Sequence, residues 1–166
     1  MDDSVPLVTL DDVNAALLRE FADVCGGATT IAAAAIEPGY ATLILSVPGG
    51  AAGGTAITSP AVSALADLAG WSVVVAHLGT AVQIVSTHLS IDFLKKPGAG
   101  PLLGRARLLK LASRFAVAGC EIFAQDRSEL VATASATYRV MRIGKEPVPR
   151  RPERDRKRLR GGRDRD

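Results

Sequence analysis

Residues 59–77 read SPAVSALADLAGWSVVVAH, and the placement of this stretch decides the fold. It has the make-up of one long helix, with Ser59 as N-cap, Pro60 at the first helical position and Gly79 just past the end. Eighteen helical residues span about 27 Å, enough to run the length of a sheet. Apolar residues occupy almost every face, which predicts an interior helix. A single acid, Asp67, lies near the middle. A carboxylate there must be paired, neutralised or aimed into a cleft, because burying an unpaired charge is costly. What covers this helix, and what Asp67 faces, therefore decide the function.

The same stretch is about long enough to cross a ~30 Å hydrocarbon core. Pro60, Asp67 and the many Ala, Gly and Ser residues interrupt it, and strand-like segments follow at once. The reading adopted is a buried helix of a soluble domain, with no membrane partner. The chain has 166 residues, 48% apolar and 22% charged, which suits one domain with a substantial core. Aromatic residues make up only 4%, so that core must be built from Ala, Val, Leu and Ile.

The net charge of +3 is unevenly spread. Residues 145–166 carry ten Lys/Arg and five Asp/Glu, whereas the other 144 residues carry ten and twelve. The body is therefore slightly acidic, and the overall charge is no argument for a nucleic-acid partner. The terminal segment is too poor in apolar residues to order itself and is expected to be a disordered, solvated basic tail. Cys25 and Cys120 are far apart, with neither metal-ligand spacing nor a disulfide framework. The opening MDDSVPLVTLDD lacks the apolar run of a signal peptide. Together these predict a reducing, cytoplasmic location.

Upstream of the long helix, Thr9-Leu10-Asp11-Asp12 is a helix start with a Thr N-cap and acids in the first turn. Val13, Leu17, Phe21 and Val24 recur every three or four residues, and Gly26-Gly27 stop the helix. Residues 28–36 and 40–47 flank Glu37-Pro38-Gly39 and read as a hairpin. Residues 48–56, PGGAAGGTA, form a glycine-rich loop, but neither a Gly-Lys-Ser/Thr close nor a Gly-x-Gly-x-x-Gly pattern makes it a phosphate cradle.

Downstream, residues 82–94 alternate. Val85, Thr87, Leu89, Ile91 and Phe93 fall on one face, and Ser86, His88, Ser90 and Asp92 on the other. Residues 95–100 read as a turn, 102–111 as a strand, 112–114 as a tight connection, 115–124 as a strand, 126–129 as a turn and 130–141 as the last strand. Three strands joined by short turns make an antiparallel meander. The expected architecture is α+β: an N-terminal helix over residues 1–27, a sheet-and-helix domain over 28–144, and the tail.

One antiparallel sheet wrapped around one long central helix resembles the hotdog fold. The likeness extends to sequence. The segments SPAVSALAD, VSTHLSIDFLKKP, RLLKLASRFAVAGCEIF and LVATASATYRV resemble those of the acyl-CoA thioesterases of the phenylacetate-pathway type, over roughly residues 28–141. That family often carries a His-Gly-Gly triplet nine residues before an acid on the helix. Asp67 stands at the acid position, and Thr58-Ser59-Pro60 stands where the triplet often stands. Ser59-Pro60 is most similar to a branch with a Gly-Pro pair.

The resemblance implies hydrolysis of acyl-CoA thioesters, with CoA part of the substrate and with neither a metal nor a further cofactor. Asp67 would be the general base or nucleophile. The oxyanion would sit on backbone N–H groups at the helix N-terminus, with that of Ser59 chosen because Pro60 has none. Ser86 aligns with a hydroxyl position that orients the water or Asp67. The site would lie between subunits of a dimer with a continuous sheet, or of a tetramer. Lys95, Lys96 and Arg114, with Arg105 and Lys110 near them, would meet the CoA phosphates.

Plainer roles stand beside these: an interface acid for Asp67, a strand hydroxyl for Ser86, solvated strand ends for the cations and core packing for Trp71. His77, at a helix C-terminus, and His88, on a polar strand face, are read as non-catalytic. Two other functions remain open, a non-catalytic acyl-CoA binder and a hydratase or dehydratase. The latter needs a histidine beside the acid.

Overall fold

The computed structural model describes residues 5–25, 30–46, 57–98, 100–124 and 129–142. The expected glycine stop at Gly26-Gly27, the glycine-rich loop, most of the 126–129 turn and the basic tail lie outside these residues.

The elements follow in the order α1 (Leu10–Glu20), α2 (Ala22–Cys25), β1 (Thr30–Glu37), β2 (Tyr40–Ser46), α3 (Ser59–Leu78), β3 (Val82–Phe93), β4 (Leu102–Leu111), β5 (Phe115–Ala124) and β6 (Leu130–Arg142). Every strand pair is antiparallel, and the sheet order is β1-β2-β4-β5-β6-β3. The meander expected over β4, β5 and β6 is present. The chain leaves β2, runs through α3 across the sheet, and adds β3 at the far edge beside β6. This is the antiparallel sheet and long central helix of the hotdog fold.

The core lies between α3 and the sheet. Val62, Leu65, Val73 and Val74 of α3 are fully buried in one cluster with Leu43, Leu45, Leu102, Ile122 and Tyr138 of the strands. α3 is long and apolar enough to cross a membrane, yet 72% of its most apolar stretch is buried inside the domain. Gly104 lets the helix close on β4, since a Cβ there would stand 2.9 Å from Leu65 Cγ. His77 ties the far end of α3 to the β1–β2 turn. Its Nδ1–H donates to Val73 O at 2.7 Å, and its Nε2 accepts from Gly39 N–H at 3.0 Å. Accepting at Nε2 while donating at Nδ1 is the pattern of a neutral ring, so His77 is a neutral clamp rather than a cation at a helix end.

Three expectations need correction. The first helix is not continuous to residue 25. It is capped as expected by the reciprocal Thr9–Asp12 box, but it breaks at Phe21, where φ is −134° and ψ 40°. The break accompanies an edge-to-face contact of Phe21 on Trp71, with ring centroids 5.1 Å apart. The second correction concerns the start of α3, which lies one residue earlier than expected. Thr58 is the N-cap, Ser59 is the first helical residue and Pro60 the second. Third, the alternation of β3 does not run unbroken from Val85 to Phe93. A bulge between Ser86 and His88 inserts Thr87 without a partner on β6. An extra residue inverts the phase of everything beyond it. Ile84 and Ser86 therefore share the inner face with Leu89 and Ile91, whereas Val85 is 43% exposed.

The two sheet edges are managed differently. Along β1, the Asn14 amide of α1 donates to Ala33 O at 3.0 Å and accepts from Ala33 N–H at 2.8 Å. It occupies the hydrogen-bonding groups that this edge strand would otherwise leave open at Ala33. Replacing Asn14 with Ala removes both bonds and leaves a part-buried backbone pair unsatisfied. Asn14→Ala is expected to lower the unfolding free energy by about 1–3 kcal/mol, read from the urea midpoint at unchanged slope.

Candidate active site

Asp67 lies two turns into α3, and its carboxylate is held from two strands. Ser86 Oγ donates to Oδ1 at 2.7 Å. The Tyr138 hydroxyl lies 2.8 Å from the Asp67 backbone oxygen and 3.2 Å from Oδ1. The carboxylate is therefore partnered by neutral donors. No guanidinium or ammonium pairs with it among the described residues. A carboxyl group held this way has oxygen lone pairs left over from its two hydrogen bonds, and these can accept a further proton.

Each partner arrives through a local feature of the chain. Ser86 reaches Asp67 because the bulge at Thr87 puts it on the same inner face as Leu89. Tyr138 comes from the inward set of β6 and is fully buried. Its ring lies against α3 because position 70 is glycine. A Cβ there would stand 2.3 Å from the hydroxyl oxygen and 3.1 Å from Cζ. Burial, and next the Asp67 carboxylate, hold the Tyr138 hydroxyl well above its ordinary range. Tyr138 therefore stays a hydrogen-bond donor at neutral pH.

The structure brings Ser86 to Asp67. It also brings Ser59 to two of the expected cations, since Thr58, Ser59, Phe93, Lys95 and Lys96 line one groove of about 530 Å³. The side chain of Thr58 makes no cap bond, Pro60 has no N–H, and Ala61 N–H donates to Thr58 O at 3.0 Å. Among the described residues, Ser59 thus carries the first-turn amide without an acceptor. Within one chain, Ser59 and Asp67 are eight residues apart on α3, a rise of about 12 Å. One carbonyl group cannot touch both.

The remaining expected residues lie elsewhere. Arg114 does not join Lys95 and Lys96 but lines a separate cleft of about 700 Å³ with Thr87, Phe115 and Arg139. Lys95 is paired with Glu129. Arg105 lies over the Tyr40 ring at 4.5 Å and within 4.0 Å of Glu37. Lys110 lies 5.4 Å from the Phe115 ring centroid. Neither histidine reaches Asp67, because His77 is engaged with Val73 and Gly39 and His88 is exposed beyond the bulge. Trp71 is packed, as expected, and is only 6% exposed. Cys25 and Cys120 are free and buried, and burial pushes the Cys120 thiol up to about 12.

The thioesterase superfamily model matches residues 59–131, from the first residue of α3 into β6. Among solved structures, a candidate thioesterase from Silicibacter sp. is 31% identical, with a TM-score of 0.72, covering 85% of this chain and 96% of its own. A Haemophilus influenzae thioesterase has 17% identity and a TM-score of 0.67, covering 83% of this chain and 94% of its own. The zebrafish thioesterase superfamily member 2 has 18% identity and a TM-score of 0.64, covering 80% and 98%. No curated protein matches the chain.

The contact between Tyr138 and Asp67 gives two expected outcomes. Gly70→Ala forces the Tyr138 ring away from α3 and should cost about 1–3 kcal/mol of stability, measured by chemical denaturation. The second concerns alkaline pH. The folded-state hydroxyl titrates above the ordinary tyrosine value of 10.0, so its contribution to stability is fully present below pH 10 and is lost as the pH rises beyond it. Tyr138→Phe should remove that part of the decline, measured as the difference in urea midpoint between pH 9 and pH 11 beside wild type.

Proposed function

Because the chain belongs to the thioesterase superfamily, we propose that it hydrolyses acyl-CoA thioesters to the free acid and CoA. The observation that carries this reading is the Asp67 carboxylate, held by Ser86 and Tyr138 on the central helix and paired with no cation among the described residues. In this reading Asp67 removes a proton from water as it attacks the thioester carbon, or attacks that carbon itself. When water attacks, the carbonyl oxygen gains negative charge, the carbon–sulfur bond breaks, and the CoA sulfur leaves as thiol with the proton that Asp67 took from the water. When Asp67 attacks, the same bond breaks to give a mixed anhydride and CoA thiolate, and water then cleaves the anhydride, releasing the acid, restoring the carboxylate and supplying the proton to CoA. Ser86 and Tyr138 are positioning residues that fix the carboxylate.

The oxyanion needs an N–H within about 3 Å of that carbonyl oxygen. Ser59 N–H supplies it from a second copy of the chain. β3 is a twelve-residue edge strand, with Val85 and Phe93 exposed along it. Antiparallel pairing with the β3 of a second copy, centred near Thr87, extends the sheet. It also carries the other copy's helix N-terminus back toward Asp67. Lys95 and Lys96 travel with that N-terminus in the same groove and meet the CoA phosphates. Arg114, in its own cleft, is left out of this assignment. The active form is a homodimer or a tetramer built from it, working in the cytoplasm without metal or a further cofactor. The finer likeness, to the phenylacetate-pathway type, rests on the four sequence segments quoted above.

A second reading, a non-catalytic acyl-CoA binder, is favoured by Pro60, which removes one donor from the first turn of α3. A panel of acyl-CoAs separates the two. Release of CoA is expected from wild type, and Asp67→Asn should lower kcat/KM about 10²–10⁴-fold. Saturable binding without CoA release would establish the binder. Size-exclusion chromatography should give a dimer or tetramer, and elution at the 17.3 kDa chain mass would contradict the shared site.

A further inference from the structure

The sheet carries a different chemistry on the face turned away from α3. Ala116, Tyr138 and Ser86 are cross-strand partners on the inner face. One position along, Phe115, Arg139 and Val85 are partners on the outer face, and all three are exposed. Val140 N–H donates to Arg114 O at 3.0 Å, which holds the β4–β5 turn beside this row. Lys110 joins the row through an irregularity in β4. Leu108 is buried on the inner face opposite Ala118, and a bulge then leaves Leu109 without a partner on β5. Without that extra residue, the two-residue period would turn Lys110 inward with Leu108. With it, Lys110 pairs with Val117 on the outer face, and its Nζ lies 5.4 Å from the Phe115 ring centroid. Bulges are a means of re-aiming a side chain.

These residues surround the cleft of about 700 Å³ that Arg114, Phe115, Arg139 and Met141 line. Its cations are unmatched. Among the described residues, Lys110, Arg114 and Arg139 form no ion pair with an acid. The acids on this face of β5 and β3, Glu121 and Asp92, flank Thr133. Thr133 is six residues from Arg139 along β6, about 20 Å away. Like charges gathered without a counter-charge repel one another, and an anion among them relieves that repulsion. The cleft lies on the opposite side of β3 and β6 from the Asp67 carboxylate and apart from the groove of Ser59, Lys95 and Lys96. A second copy paired along β3 would border it and leave its outer side open.

We infer that this cleft is a binding site for a free nucleoside diphosphate, distinct from the place of the thioester. Arg114, Arg139 and Lys110 take the phosphates, and the base lies against the exposed part of the Phe115 ring. The charge count selects the ligand. A diphosphate ester carries about three negative charges at neutral pH, and three cations face it. Guanidinium groups suit phosphate oxygens because two parallel N–H donors meet two acceptors. The ring adds what inorganic phosphate cannot use, since stacking of a base on an aromatic side chain is worth about 1–3 kcal/mol. The cleft is of the size that small-molecule ligands occupy, roughly 300–1,000 Å³. The site stands whether or not Asp67 hydrolyses thioesters.

Calorimetric titration of the full chain with ADP at about 0.15 M salt tests it, a concentration at which long-range surface attraction is largely screened. ADP should bind at one site per chain, and inorganic phosphate at least about tenfold more weakly. Arg139→Ala should weaken ADP about tenfold or more. Phe115→Leu, which keeps an apolar side chain and removes the ring, should weaken it about tenfold. Lys95→Ala should leave ADP binding unchanged, and Arg139→Ala should leave KM for acyl-CoA within about twofold. Absence of ADP binding overturns the site, as does ADP binding that survives Arg139→Ala and is lost in Lys95→Ala. A rise in KM for acyl-CoA in Arg139→Ala gives the cleft to the nucleotide end of CoA and overturns it as a separate site. A protein that binds ADP through Arg139 and hydrolyses no thioester upholds this site and overturns only the reading of Asp67.

Discussion

The contact of the Tyr138 hydroxyl with the Asp67 backbone oxygen and carboxylate, across the notch left by Gly70, fixes how the sheet sits on its helix at the site. A helix lying on a sheet through aliphatic contacts alone has many nearly equivalent offsets, because dispersion and hydrophobic burial are weakly directional. A buried hydroxyl is different. It must find an acceptor, and leaving it unpaired costs about 1–3 kcal/mol. The Tyr138 hydroxyl meets its acceptor where position 70 lacks a Cβ. The same contact that sets the offset of α3 on β6 also orients the only acid on α3. Packing and site geometry are one constraint here.

The bulge in β3 completes that arrangement from the other side. Without Thr87 as an extra residue, a strand whose Leu89 and Ile91 face the helix would turn Ser86 outward. With it, Ser86 faces α3 and donates to Asp67, while Val85 is left partly exposed on an edge strand. The two edges of the sheet contrast in the same terms. β1 is capped at Ala33 by the Asn14 amide, whereas β3 runs along the opposite margin with exposed apolar side chains. A long edge strand with exposed apolar side chains is the margin suited to pairing.

Much of this was legible in the sequence because it depends on strong, local signals. The all-round apolar character of residues 59–77, the hairpin around Pro38-Gly39 and the capping acids after Thr9 each reflect short-range physics, and each element formed. The choice of Asp67 as the residue that needs explaining was legible too. What escaped were features set by long-range contact. The bulge at Thr87 is selected by what faces the helix, so alternation alone extends straight through it. The break at Phe21 follows a contact with Trp71, fifty residues away. Tyr138 was missed because it reads as one more strand aromatic. Its signal was elsewhere, in the glycine that interrupts an apolar helix three residues after a lone acid, a place where something must approach closely. The cations were grouped by sequence proximity to strand ends, and the topology separates them. Lys95 and Lys96 share a groove with Ser59, whereas Arg114 lines another cleft.

The central claim is that Asp67 and Tyr138 form one unit acting on the thioester. A double-mutant cycle on kcat/KM for CoA release, with Asp67→Asn, Tyr138→Phe and the pair, tests it most directly. If Tyr138 acts through the carboxylate, the double variant is no slower than Asp67→Asn alone, and the folded fraction of all three proteins is the same. If the two losses multiply, or if Asp67→Asn keeps the wild-type rate, the account is contradicted.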